Sequence, residues 1–245
     1  MATKHETDIQ EIHRVPAAVA VSAAINDGKR HLLLAASGSV ATIKLPMIIS
    51  SFENHKNLSI RIILTESATH FLDGQSLEQP TISSLALLTN VDGIYLNDDE
   101  WNHPWTRHSK ILHIELRRWA HLLAIVPMSA NLLAKITGGL CDDILTCVTR
   151  AWNTKRTIIA APAMNTLMWE HPITTRQLAI LEEWEWFEIL SPQVKALACG
   201  DVGQGAMRDW KEVAAVIDKR LGNLTSYDSS VAETVNGEGL TGEEN

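Results

Sequence analysis

The stretch TIIAAPAMNTLMWEHPIT, residues 157–174, shows most clearly how this chain folds. After Thr157, residues 158–161 are all apolar, as expected for a strand that is buried on both faces of a parallel sheet. From about residue 166 to residue 184 the apolar positions follow helical spacing. Asn165 stands at the boundary, where its amide can either cap the helix or contact a ligand. Because a helix N-terminus attracts anions such as carboxylates, the stretch predicts a strand–helix unit with a candidate anion contact at its turn.

The same alternation of strands and helices recurs along the chain. Short apolar runs predict further strands at 31–36, 58–65, 121–128 and 186–192, and an amphipathic run predicts a last helix at 209–221. Ser67 and Asp142 are candidate N-caps of intervening helices, and residues 73–110 have the least regular pattern. The alternation predicts an α/β fold: a single doubly wound parallel sheet, Rossmann-like or flavodoxin-like, with helices on both faces. Ligands on such sheets bind beyond the carboxyl ends of the strands.

The composition is that of a globular protein, and its negative charge does not favour binding to nucleic acid. The chain has 245 residues, of which 45% are hydrophobic, and a net charge of −8, which argues against a nucleic-acid partner. No apolar run approaches the ~20 residues of a membrane helix, and the polar N-terminus is unlike a secretory signal, so we expect no membrane contact. Cys141, Cys147 and Cys199 lack metal-ligand spacing. We therefore expect no metal site, and free thiols in the cytoplasm.

We expect one folded domain, residues 30–222, between two flexible ends. Residues 1–29 precede the first strand and look loosely structured. Residues 223–245 contain five acidic residues and no basic residue. Few apolar groups and a single sign of charge cannot offset the entropy lost on ordering, so we expect a disordered acidic tail.

Three further segments carry ligand-binding or reactive side chains: GSVATIK (38–44), LHIELRRWA (112–120) and LACGDVGQGAM (197–207). Gly38 permits a tight turn, whose N–H groups can receive a phosphate together with the Ser39 hydroxyl. The turn lacks the G-x-G-x-x-G pattern, so it favours a mononucleotide. His113 can exchange a proton near neutrality, and Cys199, in a glycine-rich loop, can act as an acid. Each feature alone is also compatible with a purely structural role.

Together with PAMNTLMWEHPIT (162–174), these segments resemble four blocks of the flavin-containing cysteine decarboxylases, the family of phosphopantothenoylcysteine decarboxylase and the halotolerance proteins. The blocks occur in the family's order and at close to its spacing, over roughly residues 30 to 220. The resemblance implies that FMN is the cofactor. It assigns the contacts with FMN to Gly38, Ser39, Val40, Thr65, Ser67, Ser129, Ala130 and Asn131.

The resemblance also implies a reaction, the decarboxylation of 4'-phospho-N-pantothenoylcysteine to 4'-phosphopantetheine in coenzyme A biosynthesis. His113 would assist oxidation of the substrate thiol, Asn165 would hold the substrate carboxylate, and Cys199 would donate a proton in the closing reduction. Further substrate contacts are expected from Ala163, Met164 and Lys195. The family builds its site between subunits, so we expect a homotrimer with an active site at each interface.

Several positions differ from the residues that are usual in this family. Leu132 replaces a threonine, and Asp143 replaces an asparagine. Ala196 replaces a basic residue, and Lys195 is the candidate to supply that charge. The sequence Arg-Asp-Trp at 208–210 follows the glycine-rich segment, and we expect it to be a tolerated surface change.

Two other functions are compatible with the resemblance. Halotolerance-type relatives bind and inhibit a Ser/Thr protein phosphatase, and some relatives that lack one catalytic residue form mixed trimers. Peptidyl-cysteine decarboxylases of antibiotic maturation share the flavin chemistry but need no phosphate-binding lysine. His113, Asn165 and Cys199 are all present in this chain, which favours an autonomous decarboxylase.

Overall fold

Strands and helices alternate along most of the chain. A computed structural model describes residues 15–196 and 202–224, which contain eight strands and ten α-helices. The strands are β1 (Arg30–Ala36), β2 (Leu58–Leu64), β3 (Val91–Tyr95), β4 (Leu122–Met128), β5 (Ile158–Pro162), β6 (Phe187–Ile189), β7 (Gln193–Ala196) and β8 (Val202–Ala206). The helices are α1 (Ala17–Ala23), α2 (Leu45–Ser50), α3 (Glu66–Thr69), α4 (Ile82–Ala86), α5 (Leu112–Trp119), α6 (Ala130–Thr137), α7 (Ile144–Arg150), α8 (Thr166–Glu170), α9 (Pro172–Glu183) and α10 (Trp210–Gly222). Short 3-10 helices span Val40–Lys44 and Asn97–Glu100.

Strands β1 to β6 form one parallel sheet in the order β3-β2-β1-β4-β5-β6. In its centre, Leu34 of β1 pairs with Ile62 of β2 on one side and Ala124 of β4 on the other. Every residue of β2 and β4 is buried, which explains why β4 is continuously apolar and why β2 is apolar except at Ser59 and Arg61. The strand order reverses between β1 and β4, and doubly wound sheets bind their ligands at such a switch point. The predicted fold class is confirmed.

Helices cover both faces of this sheet. On one face, Ile62 packs in a buried cluster with Ile48 of α2 and Ile217 of α10. On the other face, Leu33 packs in a second cluster with Leu116 of α5. Each fully buried aliphatic side chain of this kind contributes about 1.5–3 kcal/mol through burial. None of the described helices is long and apolar enough to cross a membrane.

The irregular region 73–110 supplies an edge strand that the sequence pattern did not predict. Strand β3 pairs in parallel with β2, and Tyr95 is its one buried residue. Its sequence includes Asp92 and Gly93, which are rare in strands, so it lacks the apolar signal of the central strands. Helix α4 precedes β3 and anchors the region to the core through the fully buried Leu85.

Residues 202–206 of the glycine-rich segment form one strand of a hairpin. Strands β7 and β8 pair antiparallel, with Lys195 opposite Gly203. Residues 197–201, which include Cys199, lie between these strands and outside the described part of the chain. Strands of four and five residues with two glycines are too short to show a clear alternating pattern, which is why the hairpin was not predicted.

Two helix boundaries differ from the predicted ones. The helix predicted at 166–184 is divided into α8 and α9, because Pro172 has no N–H group with which to continue the first helix. The ring nitrogen of His171 instead accepts a hydrogen bond from the N–H of Ile173, at 3.2 Å, and caps α9. Helix α3 begins after Thr65 rather than at a cap formed by Ser67.

Asp143, and not Asp142, caps α7. A carboxylate oxygen of Asp143 accepts a hydrogen bond from the N–H of Thr146 at 2.8 Å, and the Thr146 hydroxyl accepts one from the N–H of Asp143 at 3.1 Å. Asp142 instead pairs with Lys135 at 2.8 Å, and this hydrogen bond lowers the pKa of the Asp142 carboxyl. Asparagine is an equally good N-cap, so the replacement of the family's asparagine by Asp143 preserves the helix start.

Part of the expected N-terminal extension belongs to the folded domain. Helix α1 packs on α5 and buries Ala18 and Val21 in the cluster that contains Trp119. The carboxylate of Asp27 lies 2.8 Å from Nε2 of the fully buried His31, so the chain is also fixed just before β1. Residues 15–29 therefore differ from the loosely structured segment that we expected. Residues 1–14 of that extension, and 225–245 of the expected tail, lie outside the described residues.

Candidate active site

A cavity of about 650 Å³ opens at the switch point between β1 and β4. Its walls come from the turn after β1, the start of α6, the segment after β5 and the end of β8. The predicted site residues on these walls are Gly38, Ser39, Val40, Ser67, Ser129, Ala130, Asn131, Ala163, Met164 and Asn165. The structure therefore brings together most of the residues that were assigned to cofactor and substrate, in a volume typical of small-molecule sites.

The loops after β1 and β4 are joined to one another beneath the cavity. The Ser37 hydroxyl donates a hydrogen bond to the carbonyl of Pro127 at 3.1 Å and accepts one from the N–H of Ser129 at 2.8 Å. Both Ser37 and Ser129 are buried. These contacts hold the two loops in fixed positions at the point where the strand order reverses.

The turn at Gly38 is shaped by its contact with the end of β2. A Cβ atom on residue 38 would lie 2.7 Å from Cβ and 2.8 Å from Oγ of Ser67, so only glycine allows this approach. Ser39 follows, and its Oγ accepts a hydrogen bond from the N–H of Ala41 at 3.4 Å. Hydroxyl groups of Ser39 and Ser67, together with backbone N–H groups, thus face one end of the cavity, a donor set that suits a phosphate. Thr65 does not line the cavity but lies 3.4 Å from the Ser67 hydroxyl.

The start of α6 forms the opposite wall. Ser129 caps this helix, because its Oγ accepts a hydrogen bond from the N–H of Leu132 at 3.2 Å. Ala130 and Asn131 line the cavity, whereas the side chain of Leu132 is buried in the core and does not. The leucine that replaces the family's threonine therefore adds to core packing, and the replacement takes no side chain away from the wall of this cavity.

Asn165 caps a helix and also lies on the wall of the cavity. Its Oδ1 accepts a hydrogen bond from the N–H of Leu167 at 2.8 Å and so caps α8, and the residue also lines the cavity. The neighbouring N–H of Met164 donates to the carbonyl of Gly205 in β8 at 2.9 Å. Gly205 has a φ of 129°, and a Cβ there would lie 2.4 Å from the carbonyl oxygen of Met164. The hairpin with the glycine-rich sequence is therefore pressed directly against the segment that carries Asn165.

His113 does not line the cavity. It lies in the first turn of α5, where its Nδ1 is 3.0 Å from Oε1 of Glu100 and its backbone N–H donates to Oε2 of the same carboxylate at 3.1 Å. The Glu100 side chain is 5% exposed and that of His113 is 21% exposed. Within one subunit, His113, the predicted proton-transfer residue, is therefore separate from the predicted site residues that line the cavity.

The cavity also contains residues to which the sequence assigned no role. These are Lys44, Phe71, Met168, Gln193, Arg208 and Trp210, among others. Lys44 lies within the GSVATIK segment, five residues after Ser39, and that proximity was the available signal. The Arg-Asp-Trp sequence at 208–210, which we expect to be a tolerated surface change, lines the cavity. The side chain of Lys195 and the whole of Cys199 lie outside the described residues.

The chemistry of the cavity fits a flavin mononucleotide. Hydroxyl, N–H and ammonium groups gather at the Gly38 end, while Ala130, Ala163 and Met164 offer a small apolar surface against which a flat ring system can lie. In the described part of the chain no three His, Cys, Asp or Glu side chains are grouped so that they could hold a metal ion.

Several known proteins are similar in sequence to this chain over most of its length. The model of the family described as Flavoprotein matches residues 21–222. Phosphopantothenoylcysteine decarboxylase of Arabidopsis thaliana is 46% identical over 182 residues, which cover 74% of this chain and 80% of that protein. A protein of Schizosaccharomyces pombe named probable thymidylate synthase is 43% identical over 198 residues. That match covers 80% of this chain but 30% of the longer relative.

Solved structures give the same result. A cysteine-to-serine mutant of PPC decarboxylase, complexed with pantothenoylaminoethenethiol, matches with a TM-score of 0.69 and 42% identity, over 78% of this chain and 97% of that one. The FMN-binding protein AtHal3 matches with a TM-score of 0.67 and 42% identity, over 80% of this chain and 99% of that one. The chain therefore belongs to the flavoprotein family, in the group of the phosphopantothenoylcysteine decarboxylases and HAL3 proteins.

Proposed function

We propose that this protein catalyses the FMN-dependent decarboxylation of 4'-phospho-N-pantothenoylcysteine to 4'-phosphopantetheine, a step of coenzyme A biosynthesis. The observation that carries the proposal is the cavity at the switch point, where the Gly38 turn, the Ser129 loop and Asn165 surround one space. Relatives named phosphopantothenoylcysteine decarboxylase, at more than 40% identity, support the choice of reaction.

The cofactor is held by backbone, hydroxyl and apolar groups of the cavity walls. Gly38, Ser39 and Val40, which line the cavity near Ser67, would hold the phosphate end of FMN, and Lys44 on the same wall would add a positive charge. Ser129, Ala130 and Asn131, which also line the cavity, would contact the flavin. FMN, when bound, supplies the oxidation of the substrate thiol and the later reduction of the decarboxylated product. The protein contributes binding and orientation.

Asn165 positions the carboxylate that leaves as carbon dioxide. Its hydrogen bond with the N–H of Leu167 fixes the side chain, so the amide is presented on the cavity wall in one orientation. The apolar neighbours Ala163 and Met164 favour decarboxylation, because apolar surroundings destabilise the localised charge of the carboxylate more than the charge that decarboxylation leaves delocalised onto sulfur. Lys195 is the proposed partner of the substrate phosphate.

The active site is shared between subunits of a homotrimer. This proposal is supported by the position of His113, which lies away from the cavity of its own subunit. Large apolar side chains are exposed near both parts of the site. Trp101 and Trp105, in the segment next to Glu100, are 66% and 58% exposed, and Leu167 and Met168, next to Asn165, are 73% and 51% exposed. Contact between these two surfaces would cover them and bring His113 of one subunit to the cavity of the next.

Cys199 donates the proton that accompanies the closing reduction. We expect the Cys199→Ser variant to release carbon dioxide but to accumulate the unsaturated enethiol product instead of 4'-phosphopantetheine. Liquid chromatography with mass spectrometry separates the two products by two hydrogen atoms. If Cys199→Ser formed 4'-phosphopantetheine at the wild-type rate, this role of Cys199 would be wrong. If neither variant nor wild type released carbon dioxide, the reaction itself would be wrong.

The regulatory alternative leads to a different measurement. A HAL3-type regulator would inhibit a Ser/Thr protein phosphatase whether or not FMN-dependent turnover occurs. Phosphatase activity measured with and without this protein therefore tests that partner independently of decarboxylation. The phosphatase partner and the cytoplasmic location stay predictions.

A further inference from the structure

We infer that Glu100 is a positioning residue for His113, which it holds in the ring orientation and protonation form that the reaction uses. The assignment rests on the proposed function, because it requires His113 to transfer a proton. It concerns a residue to which neither the sequence pattern nor the cavity gave a role. In the sequence Glu100 ends the acidic run NDDE, residues 97–100, and such a run is ordinarily a solvated surface.

Glu100 is not solvated. Its side chain is 5% exposed, and both oxygens bind the same residue, Oε1 at 3.0 Å from Nδ1 of His113 and Oε2 at 3.1 Å from its backbone nitrogen. One carboxylate thus fixes both the main chain at the start of α5 and the rotation of the imidazole. Burying a carboxylate is unfavourable unless it is paired and hydrogen-bonded, so these two contacts explain why Glu100 tolerates its position.

The segment that carries Glu100 is itself fixed at two other points. The carboxylate of Asp99 accepts a hydrogen bond from the N–H of Leu96 at 2.7 Å. The side-chain oxygen of Asn97 accepts one from the N–H of Ile144, at the start of α7, at 3.2 Å. Glu100 therefore lies on a rigid 3-10 helix tied to a neighbouring helix, which is what a residue needs in order to orient another side chain.

The chemistry of the pair selects one form of the imidazole. A carboxylate accepts hydrogen bonds and cannot donate them, so Nδ1 of His113 carries a proton. The neutral ring then has its lone pair on Nε2, which is the nitrogen left to take a proton from the substrate. As the ring becomes positively charged, the adjacent carboxylate stabilises it. The same division of labour operates wherever a buried carboxylate orients a histidine base.

The tautomer of His113 can be measured directly in the wild-type holoprotein. Long-range proton–nitrogen NMR spectra of isotope-labelled histidine distinguish Nδ1–H from Nε2–H rings, and the His113→Asn variant identifies the His113 signals. We expect the neutral ring to be in the Nδ1–H form, because its partner is a hydrogen-bond acceptor. An Nε2–H ring would overturn the assignment. The tautomer is read in the wild-type protein and needs no turnover, so it remains decisive even if the proposed reaction is wrong.

The effect on the reaction is tested by a double-mutant cycle. Glu100→Gln should lower kcat about tenfold or more, since a well-placed proton-transfer group contributes about 10²–10⁴-fold, with KM and bound FMN unchanged. In the His113→Asn background the same substitution should have no further effect, because its target is gone. Equal losses in both backgrounds would mean that Glu100 is only structural and would overturn the inference.

Glu115, on the same helix as His113, offers a matched control for Glu100. Its side chain is 4% exposed and pairs with Arg118 at 3.0 Å rather than with His113. Glu115→Gln therefore removes a carboxylate of equal burial without changing the imidazole, and kcat should stay within about threefold of wild type. If Glu115→Gln and Glu100→Gln lowered kcat alike, the effect would come from loss of a buried charge in α5 or its neighbours, and Glu100 would have no positioning role.

Discussion

Asn165 is a single residue at which structure and proposed chemistry can be separated. The hydrogen bond from the N–H of Leu167 to Oδ1 requires an oxygen acceptor, which aspartate also provides. On the cavity wall, in contrast, the Asn165 amide is proposed to bind the negatively charged carboxylate of the substrate, which an aspartate would repel. Substitution by aspartate therefore preserves the helix cap and changes the charge.

The Asn165→Asp variant should bind FMN like the wild type but lose about 100-fold or more in kcat/KM, because like charges at short range cost several kcal/mol. Flavin absorbance and carbon dioxide release measure the two properties. Asn153→Asp is a matched control, since Oδ1 of Asn153 accepts a hydrogen bond from the N–H of Lys155 at 3.1 Å, away from the cavity. Loss of FMN from Asn165→Asp would make the residue structural, and unchanged kinetics would exclude it from the substrate site.

The two described cysteines differ in reactivity. Burial raises the pKa of the Cys147 thiol to about 11, whereas Cys141 is exposed. At about pH 8 only about one Cys147 in a thousand is then a thiolate, the form that reacts with alkylating agents. Brief treatment with iodoacetamide should modify Cys141 and spare Cys147, as read by peptide mass spectrometry. Both should react after unfolding in guanidinium, and equal labelling of the native protein would contradict the burial of Cys147.

At the scale of elements, the start of α7 gives a direct stability test. Asp143→Ala removes the N-cap and should lower the free energy of unfolding by about 1 kcal/mol, within a range of about 0.5–2 kcal/mol. Asp143→Asn should be close to wild type, since it keeps an acceptor for the N–H of Thr146. Urea unfolding curves measure both. Asp142→Ala serves as the control, and a larger loss there than in Asp143→Ala would mean that the cap has been assigned to the wrong residue.

Most of the strands that could be predicted are those whose residues are nearly all buried. Strands β1, β2, β4 and β5 are largely apolar because helices cover both faces, so their pattern is clear although polar residues interrupt β1 and β2. Strand β3 lies at the sheet edge with one buried residue and was missed. The predicted N-cap of α7 was wrong for a different reason. Asp142 and Asp143 are chemically identical candidates, and only the path of the backbone decides which carboxylate reaches the N–H of Thr146.

At the scale of the whole molecule, the sequence predicts that the cavity residues meet at one edge of the sheet. It does not predict that His113 lies away from the cavity of its own subunit. Gly38, Ser129 and Asn165 follow different strands, and parallel strands end at one edge of a sheet, so they meet. His113 lies on α5, before β4, and nothing in the chain's own pattern says whether a helix residue serves its own cavity or that of a neighbour. The same limit applies to Arg208, which lies between β8 and α10 and lines the cavity.

Sharing of the site between subunits predicts that two inactive variants restore activity together. His113→Asn and Asn165→Asp chains, tagged differently and assembled in equal amounts, should recover about one quarter of wild-type activity. In random trimers about one interface in four combines an intact His113 with an intact Asn165. Each variant alone should retain at most about one hundredth of wild-type activity. If hybrids carrying both tags recovered nothing, both residues would act within one subunit and the trimeric site would be wrong.

Turnover by the purified protein bears most directly on its function. Its visible spectrum is recorded, and it is then incubated with 4'-phospho-N-pantothenoylcysteine while carbon dioxide and 4'-phosphopantetheine are followed. We expect a yellow protein that forms both products in equal amounts. A yellow protein without turnover would contradict the autonomous decarboxylase and favour the regulatory function or a mixed trimer. A colourless protein that also fails to bind added FMN would contradict the site itself.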